Sequence, residues 1–202
     1  MSYSRKQSDV KAARSEKDRA AVRVSVVARV LAFYPDSMTV DVQPLVKEKI
    51  DGRYASAAPI MGLRAATLCA GEYIIRPWYN RGDIGMVVTG DYDADAVFST
   101  GQESEPNTAR NHAPEDGIFI GGVCPSGKAP KGLPSQALVL AAGSGATYIA
   151  LKSDKILIKG DVEIEGNVKI SDLLEADGVE MTTHTHTGDS GGSTSEPHRT
   201  EG

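Results

Sequence analysis

From Arg23 to Val46 apolar and polar positions alternate: Arg23-Val24-Ser25-Val26 opens the pattern, Val30 to Phe33 continues it, and Met38-Thr39-Val40-Asp41-Val42 resumes it. A period of two puts the apolar residues on one face of a strand, and Pro35-Asp36-Ser37 between the two runs reads as a turn, so the stretch predicts a β-hairpin. Further short strands are predicted at Tyr73 to Ile75, Ile84 to Thr89 and Ile118 to Ile120, separated by clusters such as Asn80-Arg81-Gly82-Asp83. Five or so short strands within about 100 residues predict a small closed or half-closed barrel, for which an OB-fold is one candidate. The Pro-, Gly- and Lys-rich stretch Pro125 to Pro134 marks a linker and a domain boundary.

The strongest periodicity lies beyond that linker. Every even position from Ile156 to Ile170 is apolar or glycine (Ile156, Ile158, Gly160, Val162, Ile164, Gly166, Val168, Ile170). The odd positions Lys159, Asp161, Glu163, Glu165, Asn167 and Lys169 are polar, with Leu157 the exception. A strand in an ordinary sheet has about five or six residues, so this ribbon is too long for one. Its apolar face needs a cover and its edges need pairing. The chain supplies little for either, only short apolar strands around Leu138 to Leu140 and Tyr148 to Leu151 and a polar Gly/Ser/Thr-rich tail. Three copies wound about one axis would turn Ile and Val inward and pair each strand with a neighbour. Burying the six Ile and Val side chains would contribute roughly 9 to 18 kcal/mol per chain before ordering costs, which remove most of it. The alternative is a strand in a two-chain or intramolecular sandwich.

Composition limits the function classes. The 202 residues are 40% hydrophobic and 24% charged, with 5% aromatics and 21 glycines, which predicts folded domains with a thin core. The longest purely apolar run, Ala137 to Ala142, is far short of the roughly 20 residues a membrane-spanning helix needs, and the polar N-terminus lacks the apolar core of a Sec-type signal peptide. Net charge is -5, distributed as +3 over residues 1–20, -3 over 21–129 and -5 over 130–202. An acidic body opposes binding to a phosphate backbone, so nucleic acid is not an expected partner. Cys69 and Cys124 share no ligand-like spacing and are expected to be buried free thiols.

Near the C-terminus, His184 and His186 flank Thr185, which in an extended chain places both imidazoles on one face. Two ligands leave most of a coordination shell empty, but three-fold symmetry makes them six, enough for an octahedron about one ion on the axis. Six imidazole nitrogens exceed the usual four of structural zinc, so the pattern points to iron. Other motifs carry less. Gly188-Asp189-Ser190-Gly191-Gly192 matches the string around a protease serine, but too little chain follows it to build a specificity pocket. Asp91, Asp93 and Asp95 resemble the start of a calcium loop, yet Ala96 stands where glycine is needed and Gln102 where a bidentate glutamate is needed, so a solvated acidic turn is expected. Arg81-Gly82-Asp83 reads as a turn before a strand.

These residues together resemble the central spike, or membrane-puncturing needle, of contractile phage tails and R-type tailocins. The pieces that carry the resemblance are the hairpin Val22 to Val46, the segment Arg81-Gly82-Asp83-Ile84-Gly85-Met86-Val87-Val88, the segment Arg110-Asn111-His112-Ala113-Pro114-Glu115-Asp116-Gly117-Ile118-Phe119, the alternating run, and His184-Thr185-His186 followed by Gly-Gly and Pro197. The charged end from Glu196 to Gly202 is longer than the family's pattern, so His198 is not assigned as a ligand. The resemblance implies an all-β chain: an N-terminal arm over 1–21, an OB-fold over 22–127, an intertwined trimeric β-helix shaft over 128–180, and over 181–202 an apex where His184 and His186 of three chains hold one iron ion. It further implies a homotrimer that docks on the baseplate hub and tail-tube end, sits at the baseplate tip of the virion or tailocin particle, and pierces the host outer membrane without catalysis. A trimeric β-helical tailspike enzyme acting on surface polysaccharide is the alternative. It would need a groove with paired carboxylates, and Glu163 and Glu165 share a face only within a plain repeat.

Overall fold

The structure, a computed structural model, describes residues 24–143, 145–181, 183–186, 191 and 195. The arm over 1–21 and His198 lie outside the described residues, as does most of the Gly188–Gly192 string. The chain divides into two compact units, Met1–Ala129 and Pro130–Gly202, and the division falls within the 125–134 stretch.

The first unit is built on a closed five-stranded barrel. Strand β1 (Ser25–Tyr34) turns through Pro35 to Met38 into β2 (Thr39–Pro44). Two small hairpins flank the third barrel strand: β3 (Glu48–Ile50) with β4 (Arg53–Ala55) before β5 (Ile60–Ala65), then β6 (Leu68–Ala70) with β7 (Tyr73–Ile75). Strand β8 (Ile84–Val88), a short helix α1 (Asp95–Thr100), a 3-10 turn at Pro114–Asp116 and β9 (Ile118–Gly121) complete the described part of the unit. Around the barrel the order is β1-β2-β5-β9-β8, with β8 returning to β1. Only β5 and β9 run parallel, in the register Arg64 to Ile118 and Ala65 to Phe119.

Strong curvature in so small a barrel is met by bulges, which bend a strand and raise its twist. The β1–β2 register shifts between Val30 and Ala32, and the β2–β5 register shifts between Val40 and Val42. In β5 the extra residue falls at Met61-Gly62, where Gly62 adopts φ 69°, a backbone region that favours glycine. The bulge exposes an amide that Asp41 of β2 accepts at 2.8 Å, and the other Asp41 oxygen accepts the Tyr34 hydroxyl at 2.9 Å. Asp41 is thereby buried inside an apolar wall with both oxygens bonded. The Tyr34 phenol is pushed above its ordinary range by donating to that carboxylate.

The barrel interior holds Ala28, Val30, Val40, Val42, Ile60, Leu63, Ala65, Val87 and Phe119, mostly small aliphatics, as the sparse aromatics require. One aromatic chain closes an end: Trp78 meets Phe33 edge-on at 5.8 Å, Phe33 meets Tyr79 at 5.4 Å, and Tyr79 meets Phe119 at 5.3 Å. Both cysteines are exposed free thiols, which corrects the expectation of burial. Cys69 sits on the β6–β7 hairpin, where every residue is exposed, and Cys124 immediately precedes the linker.

The second unit opens with an antiparallel sheet of β10 (Leu138–Ala141), β11 (Tyr148–Leu151) and β12 (Ile156–Lys159). A two-residue hairpin follows, β13 (Glu175–Ala176) and β14 (Val179–Glu180), turned at Asp177-Gly178 with both φ values positive, the signature of a type I′ turn. The expected continuous strand from Ile156 to Ile170 does not form within one chain. It ends at Lys159, Gly160 takes φ 120°, and residues 161–170 carry no strand pairing. Strand β12 pairs with β11, and no strand among the described residues pairs with residues 161–170.

Candidate metal site and the uncovered apolar face

Register in the second unit assembles one apolar surface. Leu138, Leu151 and Ile156 lie opposite one another across the three strands, and so do Leu140, Ile149 and Ile158 two residues further on. Alternation puts these six aliphatic residues on the same face, and all six are exposed, from 43% to 70%. Beyond β12 the even positions Val162, Ile164, Val168 and Ile170 are exposed too, from 48% to 61%. Among the described residues of this unit Ala150 is the one fully buried hydrophobic side chain. Ten large aliphatic side chains thus lie in water on a segment of fewer than forty residues, well beyond the scatter of single exposed hydrophobics on ordinary surfaces.

The β13–β14 hairpin leads directly to the histidine pair. Met181 N–H donates to the Leu174 carbonyl at 2.7 Å, and His184 N–H donates to the Glu180 carbonyl at 3.2 Å, so the chain after the hairpin is tied back onto it. His184 Nδ1 lies 3.1 Å from the Met181 carbonyl oxygen. A carbonyl only accepts, so Nδ1 is the donor; in the neutral ring that tautomer keeps the lone pair on Nε2, the atom through which imidazole would ligate a metal. The imidazoles of His184 and His186 stand next to each other, ring centroids 5.0 Å apart and planes at 87°. Among the described residues one chain brings these two imidazoles together; the donor set fits a shared ion if further ligands complete the shell.

A second group of titratable residues lies on the barrel. Ligand oxygens of Asp93, Asp95 and Asp116 fall within 4.8 Å of one another, the one such group of three among the described residues. The expectation of a solvated acidic turn at Asp91, Asp93 and Asp95 is corrected for Asp93, which is 5% exposed, and Asp116 joins it at 6%. Asp93 accepts the Thr108 hydroxyl at 2.7 Å and the Asp95 N–H at 3.0 Å, and these bonds lower its pKa below the usual carboxylate value. Burial pushes the Asp116 carboxyl up, against the pull of Arg110. The Arg110 guanidinium donates to Asp116 through Nε at 3.2 Å and an NH2 nitrogen at 2.7 Å, and that same nitrogen reaches Asp93 and Asp95 at 3.4 Å. A cation already occupies the centre of the cluster, so its chemistry is that of a clamp: it fastens the long β8–β9 connection by its two ends. Sequence reading missed this because the partners Thr108, Arg110 and Asp116 are 13 or more residues from the turn at Asp93–Asp95. His112 faces Asp91 at 3.7 Å in the same connection.

Arg81-Gly82-Asp83 is a turn into β8, with Asp83 accepting the Asn80 N–H at 2.8 Å. No helix among the described residues is long and apolar enough to cross a membrane. No protein-family model matches the chain, and no curated protein sequence matches it.

Proposed function

We propose that this chain is the central spike of a contractile phage tail or R-type tailocin, a homotrimeric needle driven point-first through the outer membrane of a host cell. The observation that carries the reading is the apolar face of the second unit, left bare in one chain with its two-residue period kept to Ile170, ahead of a pair of adjacent imidazoles. Winding three chains about one axis covers the aliphatic rows, pairs the edges of residues 161–170, and gathers six imidazoles at the end of the shaft. The barrel supports the reading as well: its order, with third and fifth strands parallel, is the order of an OB-fold, here the part that docks on the baseplate hub and the tail-tube end.

The needle needs no catalytic step. Strand pairing and apolar layers along the shaft resist shear together, and an iron ion bound by His184 and His186 of all three chains would hold the ends against fraying where the load is greatest. Its residues are those of the apex, with the Met181 carbonyl fixing the ring of His184. The test is the mass of the full chain by light scattering together with elemental analysis. The expected result is a trimer with one iron per three chains, and the double variant His184→Ala, His186→Ala should lose the iron while the shaft remains trimeric. A stable monomer overturns the proposal, and iron retained in the double variant overturns the assignment of the site.

A further inference from the structure

The β6–β7 hairpin is composed of apolar residues on both faces. Its register sets Leu68 opposite Ile75 and Ala70 opposite Tyr73 on one face, with Cys69 opposite Ile74 on the other. Each of these six residues is exposed, Tyr73 to 82% and Leu68 to 71%. Polar residues appear only beyond the ladder, at Glu72 in the turn and Arg76 at the base. A two-stranded hairpin is marginal in water by itself. A surface hairpin normally turns one polar face outward, and this one has none to turn.

The bare area sets what the hairpin can do. Aromatic side chains carry roughly 150 to 250 Å² each, so Tyr73 at 82% exposure leaves on the order of 150 Å² uncovered. Leu68, Ile74 and Ile75 add on the order of 150 Å². With a matching area on a receiving surface, one contact buries about 600 Å², well short of the roughly 1,000 Å² a specific interface needs. Such a patch does not hold two barrels together unaided. It suffices when the barrels are already tethered at high local concentration by another interface, since the second contact is then intramolecular.

We propose, on the basis of the trimer reading above, that the β6–β7 hairpin is an arm that packs on the first unit of a neighbouring copy, so that the barrels form a ring in addition to the shaft. Each chain gives one arm and receives one, a head-to-tail contact that closes under three-fold symmetry. Because the arm presents two apolar faces, it is inserted between surfaces and does not merely lie on one.

Cys69 on the arm and Cys124 just before the linker report on this without substitution, both being exposed in the single chain. The purified full chain is treated with a thiol reagent under native conditions, the two sites are followed separately by mass spectrometry of peptides, and the oligomeric mass is measured in parallel. The expected result is a trimer in which Cys69 reacts at least roughly tenfold more slowly than Cys124, the lag that a covered site open a tenth of the time would show. In a chain made monomeric by Ile164→Asp the two rates should converge. A trimer whose Cys69 reacts as fast as Cys124 overturns the arm and leaves the trimeric spike standing. Protection of Cys69 that persists in the monomeric variant also overturns it, because the cover is then the chain's own. A wild-type chain that is monomeric removes the spike reading and the arm together.

Discussion

Ile164 separates the single-chain and three-chain descriptions cleanly. In one chain its side chain is 59% exposed and touches no buried cluster, so Ile164→Asp should be nearly silent for a monomer, within about 0.5 kcal/mol as at most surface positions. In a needle the same side chain points at the axis with its two symmetry mates. Burying the remaining exposed part of three isoleucines is worth roughly 3 to 5 kcal/mol per trimer, at about 1.5 to 3 kcal/mol for a whole side chain. Three carboxylates crowded in that layer add at least several kcal/mol of desolvation and repulsion. Taking about 5 kcal/mol as a floor, the association constant falls by between three and four decades. The concentration at half-assembly varies as its square root and rises roughly 60-fold. A dilution series followed by light scattering reads this directly, with Glu163→Ala on the opposite, exposed face as the control that should leave the series unchanged. Wild-type assembly of Ile164→Asp at every concentration would refute the inward-facing ribbon.

Two further outcomes test the barrel. A Cβ on Gly85 would meet the Ile120 carbonyl oxygen and come within 2.5 Å of the Phe119 ring, so Gly85→Ala should cost about 1 to 3 kcal/mol and lower the first unit's melting temperature by roughly 4 to 8 °C for each kcal/mol, read by calorimetry. The lowered pKa of Asp93 means that its contribution to stability is complete above its unfolded value near 3.8 and is lost as pH falls through the depressed folded value. Asp116, raised by burial, acts in the opposite sense. Asp93→Asn should therefore melt below wild type at neutral pH and converge with it in acid; a constant gap across the titration would contradict the charge-based account.

The opening hairpin was legible because β1 and β2 keep a period of two, and the bulge at Leu31 shifts pairing without disturbing the visible alternation before it. Strand β5 was not, because the bulge at Met61-Gly62 places the buried residues Ile60, Leu63 and Ala65 at uneven spacing. Of the short hairpins only β7, the strand at Tyr73–Ile75, was read from the sequence; β3, β4 and β6 are too brief to show a period. The β13–β14 turn did carry a local signal, Asp177-Gly178, which periodicity alone passes over. Near the C-terminus the His-x-His spacing put the two imidazoles side by side, while the contact of His184 Nδ1 with the Met181 carbonyl depends on how the chain folds back after the hairpin. The Asp93 clamp stayed hidden for the most physical of reasons: a carboxylate reads as solvated until the arginine that neutralises it arrives from further along the same connection.

The parallel pairing of β5 with β9 bears on how the protein is made. Arg64 bonds across to Ile118, so the ring of strands cannot close until more than fifty further residues have been synthesised. At roughly 5 to 20 residues per second the ribosome needs about 3 to 10 s for that interval. Throughout it, a sheet formed by the strands already made would stay open, with its interior valines Val30, Val40 and Val42 facing solvent. The residues that could aggregate with a neighbour at that moment are the ones later sealed inside, which makes translation speed across the β5 to β9 interval a determinant of how much intact protein is obtained.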